Sequence, residues 1–253
     1  MTLHLQMAMA PGVIQMPLLW FTAVILSSTF LAEAGKEYTC PAYADLAESS
    51  VAPHKFNMSM LAGTEWLMLA TSEPTIPAFC SCTVSTYSVH LGAGGHGGWY
   101  NYTANTSCSV AGSTARFQVP LKGLISADPQ TPGLLHETLD VFNQTLGPRD
   151  PNYVFRVKYN SSGHITAFHT YACLGRVFNT NYFSYNYLVR KEAASASVAL
   201  LDKSAVAVEV EAANSKGFMD TGGVRFTDAS MWRECKVLQD GAVGIEEHAL
   251  FTV

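Results

Sequence analysis

The sequence predicts an all-β domain, a sandwich or barrel of eight strands that is followed by one helix. Three observations support this prediction. Between Gly63 and Arg190, short runs of β-branched and aromatic residues are separated by Gly, Pro, Asn and Asp, and no long helical pattern interrupts them. Two of these runs alternate apolar with polar residues, as a strand with one buried face does. After Arg190 an Ala-rich segment ends at a glycine, which is typical of a helix and its C-terminal stop.

A leader precedes this domain. The apolar run over residues 18–31 spans about fifteen residues, fewer than the roughly twenty that a membrane-spanning helix needs. Ala32-Glu33-Ala34 follows it as a cleavage signature, so residues 1–34 are predicted to be a signal peptide, although no Lys or Arg precedes Lys36. No later apolar stretch reaches spanning length, so we expect no transmembrane segment and a secreted, extracellular product.

Eight runs are predicted as strands, namely residues 64–71, 82–90, 99–106, 115–125, 134–142, 153–159, 165–174 and 182–190. In the fourth and sixth runs the alternating apolar residues are Phe117, Val119 and Leu121, and Tyr153, Phe155 and Val157. Period two places each of these sets on one face of its strand. The glycine-rich residues 92–98 predict a hairpin turn, since neither phosphate-binding glycine motif is present there.

The segment after the strands predicts one helix over residues 204–215, which ends at Lys216-Gly217. Residues 224–237 then carry the last cysteine. We expect an N-terminal extension over residues 35–60, one folded domain over 61–238 and a loosely held tail over 239–253.

Cysteines and glycosylation motifs both indicate an exported chain. All six cysteines follow the predicted cleavage point, and an even count in an exported protein predicts disulfides rather than free thiols. The pair Cys80 and Cys82 has no second close pair to complete a zinc site, so no metal is expected. Five asparagines stand in the N-x-[ST] motif and are predicted glycosylation sites, namely Asn57, Asn101, Asn105, Asn143 and Asn160.

The charge of the chain disfavours nucleic acid as a partner. The formal net charge is −5, and no block of Lys and Arg is present that could neutralise phosphates.

The order of several landmarks carries a resemblance to a known family. The landmarks are Cys40-Pro41, Gly63-Thr64-Glu65-Trp66, Cys82 with Tyr87 five residues on, Tyr171-Ala172-Cys173, Tyr187-Leu188-Val189-Arg190, and a terminal Cys235. In this order the chain resembles the lipocalins, particularly the apolipoprotein D and bilin-binding branch, from about Cys40 to Cys235. It departs from the family where two residues instead of one separate Gly63 from Trp66, and where Val157-Lys158-Tyr159 replaces Thr-Asp-Tyr.

The resemblance implies an eight-stranded antiparallel up-and-down barrel with one C-terminal helix. It also implies the disulfides Cys40–Cys173 and Cys82–Cys235, which leaves Cys80 and Cys108 as an additional pair. A hairpin of the second and third strands would bring these two cysteines side by side. The family further assigns Trp66, after Gly63, to the closed end of the barrel, with Arg190 across its ring.

The predicted function is to bind and carry a small hydrophobic ligand in the barrel. A barrel of about eight strands can hold one small ligand, and the residues proposed to line the cavity are the two alternating sets named above. Candidate ligands are a lipid, retinoid, carotenoid, sterol or bilin, without a further cofactor. The protein is expected to be a monomer or a weak homo-oligomer.

Two other classes of function remain open on the sequence. Some lipocalins are enzymes that use a cavity thiol or cavity carboxylates, but paired cysteines would leave no thiolate. Glu137 and Asp140 are predicted on opposite faces of a strand, as are His164 and His169, so neither pair forms an acid–base or metal site. An extracellular protein that acts through its outer surface is the third possibility.

Overall fold

A computed structural model describes the chain over residues 41–73, 76, 80–90, 99–110, 116–141, 144–177, 180–196, 202–219 and 221–227. The strands are β1 Glu65–Thr71, β2 Cys80–His90, β3 Trp99–Val110, β4 Arg116–Ser126, β5 Leu134–Val141, β6 Gln144–Tyr159, β7 Ile165–Val177, β8 Thr180–Arg190 and β9 Arg225–Phe226. The α-helices are α1 Tyr43–Leu46, α2 Lys191–Ala196 and α3 Lys203–Ala213, and short 3₁₀ helices occupy Ser49–Val51, Met58–Leu61 and Thr221–Gly223.

Strands β1 to β8 form a closed antiparallel barrel. Each strand from β2 to β8 pairs with the next along the chain, and β1 pairs with both β8 and β2, so the sheet closes on itself. The two-residue strand β9 adds to β1 at Ala70 and Thr71. The predicted all-β, eight-stranded up-and-down barrel with a C-terminal helix is therefore confirmed.

Strand β6 is longer than the sequence predicts. It begins at Gln144 instead of Tyr153, because the residues between them pair with β5, from Val141 opposite Gln144 to Leu134 opposite Tyr153. Pro148 and Pro151 in this stretch favour a loop when the sequence is considered alone. Pairing with β5 overrides that local preference.

The buried side chains form two clusters on opposite faces of the sheet. One contains Trp66, Met68, Phe168 and Leu188. The other contains residues of the same strands β1, β7 and β8 that point to the opposite face, together with Val206 and Val210 of helix α3. A helix is about 10 Å across, which is too wide for the interior of an eight-stranded barrel. The cluster without the helix is therefore the barrel interior, and the cluster under α3 lies on the outer surface.

The segment before β1 packs against the barrel. Phe56, Met58 and Leu61 belong to the inner cluster. The Tyr159 hydroxyl at the end of β6 lies within hydrogen-bond distance of two backbone carbonyls of this segment, 3.1 Å from Ser50 O and 3.0 Å from Lys55 O, and its one proton can be donated to either. The described part of the predicted extension is thus tied to the end of the barrel where β1 begins.

Helix α3 begins and ends close to the predicted positions. The Asp202 side chain accepts a hydrogen bond of 2.9 Å from the backbone N–H of Ser204, which caps the N-terminus. Gly217 follows the helix at φ +67°, a conformation that favours glycine. None of the described helices is long and apolar enough to span a membrane.

Several predictions concern residues that lie outside the described ones. They are the signal peptide over 1–34, the glycine-rich turn at 92–98, Cys40, Asn143, Cys235 and the tail over 239–253.

Candidate functional site: the inner wall of the barrel

A bulge in β6 divides the predicted lining residues between the two faces. The pairing of β6 with β7 shifts between Val154 and Arg156, so strict alternation is interrupted there. Val157 consequently faces the interior. Tyr153 and Phe155 lie in the outer cluster, which corrects their predicted place on the cavity wall. The sequence could not reveal the bulge, because it depends on the partner strand.

The alternating set on β4 is only partly described. Leu121 is half-buried and packs against the inner cluster. The backbones of Phe117 and Val119 pair with Cys108 and Thr106 of β3, but the side chains of Phe117 and Val119 lie outside the described part of the structure. Leu121 and Val157 are therefore the two predicted residues that the structure places on the inner wall.

A polar cluster on the inner wall joins β3, β5 and β6. The Tyr102 hydroxyl donates to Oε1 of Glu137, and Nδ2 of Asn152 donates to Oε2 of the same carboxyl. Gly123 of β4 lies in register between Tyr102 and Glu137. A Cβ at Gly123 would stand 2.4 Å from Cε1 of Tyr102, so only glycine lets this ring cross β4 to reach the carboxyl.

One polar atom of this cluster has no partner in the described part of the chain. Asn152 is 9% exposed, and its Oδ1 makes no hydrogen bond to any described residue. The other end of the amide is already committed to Glu137, which sets the orientation of the side chain. A buried carbonyl oxygen without a donor costs about 1–3 kcal/mol, so a donor supplied by a bound molecule would stabilise the site.

Glu137 and Tyr87 both lie on the inner face of the sheet, and both side chains are half-buried. Burial raises the pKa of the Glu137 carboxyl; the donors Tyr102 and Asn152 oppose this shift, and the like charge of Glu73 adds to it. Burial also raises the pKa of Tyr87, and the nearby Glu137 raises it further. The wall thus offers carboxyl and phenol groups beside apolar side chains.

A second group of polar side chains follows β1, β7 and β8. Thr71 donates to Oδ1 of Asn186 at 2.6 Å, and Nδ2 of Asn186 donates to Thr170 at 3.3 Å. Ser184, two residues before Asn186, donates to the Glu73 carboxylate. Thr170 and Asn186 lie opposite each other, each two residues along its strand from the inner residues Phe168 and Leu188. They therefore share the inner face with them. The inner wall is therefore amphipathic rather than uniformly apolar.

The closed end of the barrel is sealed around Trp66. Its Nε1 donates to Leu61 O at 2.9 Å, and the Arg190 guanidinium lies 5.5 Å from the centre of its ring. Arg190 Nε also donates to Ile165 O at 2.9 Å. Gly63 adopts φ +69°, which favours glycine, and its N–H donates to Tyr87 O at 3.3 Å. A closed eight-stranded barrel, one end sealed by this pair and a helix on its outside, decides the fold. The chain has the lipocalin fold.

Solved lipocalin structures are remotely similar to this chain. Lobster apocrustacyanin A1 is 17% identical over 75% of this chain and 88% of its own, with a TM-score of 0.47. Insecticyanin from the tobacco hornworm Manduca sexta is 14% identical over 75% and 86%, with a TM-score of 0.48. Japanin from Rhipicephalus appendiculatus, solved with cholesterol bound, is 12% identical over 53% and 79%, with a TM-score of 0.32. The lipocalin fold is evident from the closed barrel itself and does not depend on these remote similarities.

Sequence comparison adds no relative. No family model matches the sequence, and no curated protein matches it.

The outer face of this lipocalin barrel holds an aromatic cluster under helix α3. His169 is fully buried in it, stacked on Tyr187 with ring centroids 4.4 Å apart, and its Nδ1 lies 2.8 Å from the Tyr185 hydroxyl. Phe155 packs beside it, with ring centroids 5.9 Å apart. His164, in contrast, is exposed in the turn before β7. The two histidines thus lie in different environments, one buried and one exposed. Among the described residues, no three His, Cys, Asp or Glu side chains converge on a metal-sized site.

Four of the six cysteines belong to the described residues, and all four are in disulfides. Cys80 and Cys108 are joined to each other, with their Cα atoms 5.5 Å apart. Cys82 and Cys173 are also disulfide-bonded. None of these four sulfurs can supply a thiolate to the barrel interior.

Four of the five predicted glycosylation sites are described. Asn57, Asn101, Asn105 and Asn160 are all exposed. Asn101 and Asn105 lie on the outer face of β3, four residues apart and therefore on the same side of the strand.

A separate cleft of about 390 Å³ lies at the closed end, beside the turn that joins β4 to β5. Phe56, Met58 and Ile125 are among its lining residues. None of the six residues predicted to line the cavity contributes to it.

Sequence reasoning missed the polar cluster on the inner wall. The sequence suggests for Glu137 only a comparison with Asp140 as an acid–base partner, and the side chain of Asp140 lies outside the described residues. An isolated glycine inside a strand pattern signals close approach of another group, so Gly123 was the available clue. It could not identify Tyr102 as the group that approaches.

Proposed function

We propose that this protein binds and carries a small, mainly apolar ligand inside its barrel. The observation that carries the proposal is the inner wall, where apolar side chains such as Leu121 adjoin the half-buried Tyr87 and Glu137. Pockets for small molecules are mostly apolar, with a few placed polar groups that orient the ligand. Lipids, retinoids, carotenoids, sterols and bilins are the classes that this wall suits.

We further infer that the protein works outside the cell, without an enzymatic role. The predicted leader and the exposed asparagines of the glycosylation motifs support export. The disulfide Cys80–Cys108 supports the same inference, because such bonds persist in oxidising compartments.

Two leucines of β4 provide a matched test of ligand binding. Leu121 pairs with Ala104 of the inner cluster, whereas Leu124 pairs with the exposed Asn101 and so faces outward. Retinol binding to the purified protein is followed by quenching of tryptophan fluorescence. We expect a Kd of about 1 µM or tighter for the wild type. Leu121→Gln should weaken binding about 10-fold, because it places a polar group on the apolar wall, and Leu124→Gln should leave binding unchanged.

The outcomes separate the possibilities. Equal binding by both variants and the wild type would place the ligand outside the barrel. No binding of retinol or cholesterol, together with an organic extract of the native protein that contains no small molecule by mass spectrometry, would contradict the proposed function.

A further inference from the structure

The polar cluster on the inner wall contains more acceptors than the donors of the described residues satisfy. Each oxygen of the Glu137 carboxyl accepts one hydrogen bond, from Tyr102 and from Asn152. Oδ1 of Asn152, in a side chain that is more than nine-tenths buried, accepts none from the described residues. A carboxyl oxygen can accept two hydrogen bonds, so capacity remains on Glu137 as well.

Among the described residues, no positively charged side chain is paired with Glu137. Arg156–Glu48, Lys158–Glu209 and Lys191–Glu65 are ion pairs in this part of the chain, and none of them involves Glu137. The charged side chain that acts on Glu137 is Glu73, which has the same sign. An anionic head group would therefore be repelled, whereas a cation would supply the missing charge.

Packing and the absence of a side chain at position 123 fix the positions of Tyr102 and Glu137 relative to each other. Tyr102 reaches Glu137 across β4 only because position 123 is glycine, where a Cβ would stand 2.6 Å from the carbonyl oxygen of His136 as well as against the Tyr102 ring. Tyr102 is 1% exposed, so its ring is held by packing. Glu137 is half-buried on the inner face of the sheet. The carboxyl is thus positioned where a molecule in the barrel can meet it.

We propose that Glu137 and Asn152, held in place by Tyr102, anchor the ammonium head group of an amphipathic amine whose apolar part fills the barrel. This inference rests on the proposed function and names the chemical class of its ligand. An ammonium group has three N–H donors, enough for the Glu137 carboxylate and for Oδ1 of Asn152. Charge-assisted hydrogen bonds of this kind are about twice as strong as neutral ones.

Binding should be linked to proton release. Burial favours the protonated Glu137 carboxyl in the empty barrel, and an adjacent ammonium favours the carboxylate. An alkylammonium ion that enters the site therefore displaces the carboxyl proton to solvent, and the ion itself keeps all its protons. The number of protons released per ligand should be larger at pH 5 than at pH 8.

The test compares dodecylamine, dodecanol and dodecanoate, three probes with one chain length and different head groups. Isothermal titration calorimetry of the whole mature protein in two buffers of different ionisation enthalpy gives both the affinity and the protons released. We expect dodecylamine to bind tightest and dodecanoate weakest. Glu137→Gln should weaken dodecylamine binding by about 10-fold or more, weaken dodecanol binding by a much smaller factor, and abolish proton release.

Two further variants make the result decisive. Asn152→Ser removes the unpartnered oxygen, so it should also weaken binding of the amine more than that of the alcohol, and it keeps the test available if Glu137→Gln does not fold. Glu192→Gln removes the same charge from an exposed position of α2 and should alter the affinity for neither the amine nor the alcohol. Equal affinity for amine and alcohol, or equal loss of both in the variants, would overturn this inference and leave the proposed function intact. Failure of all three probes to bind would overturn this inference, and it would overturn the proposed function as well if retinol and cholesterol also fail to bind.

Discussion

His169 is the residue whose burial has the clearest consequence for stability. It lies on the outer face of β7, fully enclosed by Tyr185, Tyr187 and Phe155. Burial lowers the pKa of His169 well below its usual range, and the positive charges of Arg156 and Lys158 lower it further. Glu209 of α3, which pairs with Lys158, brings the opposing negative charge to the same region. The native protein therefore keeps this imidazole neutral.

The first residue-level prediction concerns acid stability. In the unfolded chain His169 takes up a proton near pH 6.5, whereas in the native state it resists protonation. The unfolded state thus binds more protons below that pH, and the free energy of unfolding should fall as the pH falls. His169 alone should contribute a slope of up to about 1.4 kcal/mol per pH unit below pH 6.5.

Urea unfolding between pH 5 and pH 7.5 measures this slope. His169→Gln should flatten it, while His164→Gln, at an exposed position, should leave it as in the wild type. An unchanged slope in His169→Gln would show that His169 is not the group responsible.

Ionisation of Glu137 changes stability with pH in the opposite direction to that of His169. Burial raises the pKa of its carboxyl, so between its ordinary value and the raised one the native state holds a proton that the unfolded chain has released. Its contribution to stability is therefore lost as the pH rises through the native pKa. An ammonium ligand would offset this loss, which couples ligand binding to stability above the native pKa of the carboxyl.

At the scale of elements, helix α3 stabilises the barrel through one of its faces. Val206 and Val210 are 2% and 1% exposed against the outer cluster, whereas Val208 is 67% exposed. Lys158 of β6 pairs with Glu209 at the edge of this contact. The helix is thus held mainly by the apolar side chains on its buried face.

The prediction for this element uses two valines of the same helix. Val210→Ala removes buried methyl groups and should lower the free energy of unfolding by about 1–3 kcal/mol. Val208→Ala should change it by no more than about 0.5 kcal/mol, since little buried surface is lost. Chemical denaturation monitored by circular dichroism gives both values, and because each substitution makes the same change in helix propensity, their difference isolates packing. Equal destabilisation would mean that α3 does not rest on the barrel as described.

The bounds of strand β6 are set by its pairing with neighbouring strands and not by local sequence. Its N-terminal half contains Pro148 and Pro151 and would form a loop on local preference alone. Hydrogen bonds to β5 extend it back to Gln144. Its bulge at Val154 and Arg156 then reverses which side chains point inward, so alternation in the sequence misassigned Tyr153 and Phe155.

At the scale of the whole molecule, barrel closure joins segments that are far apart in the chain. β1 pairs with β8, which places Trp66 opposite Arg190. The disulfide Cys80–Cys108 fastens β2 to β3 away from the glycine-rich connection. Loop closure by such a bond contributes about 2–4 kcal/mol by restricting the unfolded chain.

Disulfide mapping tests this organisation as a whole. Proteolysis without reduction, followed by mass spectrometry, should recover Cys80 with Cys108, Cys40 with Cys173, and Cys82 with Cys235. A thiol titration of the unfolded, unreduced protein should read zero. A peptide that joins Cys40 to Cys82 would contradict the pairing that the family resemblance implies.

The sequence by itself determined the number, order and type of the main elements. Alternating apolar residues, turn-forming residues and the Ala-rich segment are local signals, and each acts through the conformation of its own stretch of chain. The proximity of Cys80 and Cys108 also follows from a single hairpin. These features were predictable because they depend on neighbours in sequence.

Only the tertiary structure decided the character of the inner wall. Tyr102, Gly123, Glu137 and Asn152 come from four adjacent strands, and no local pattern states that one ring crosses a glycine to meet a buried carboxyl. The face that each β6 side chain takes likewise depends on its register with β5 and β7. The interior therefore turned out more polar than an apolar carrier cavity, because burial and pairing are properties of contacts between distant segments.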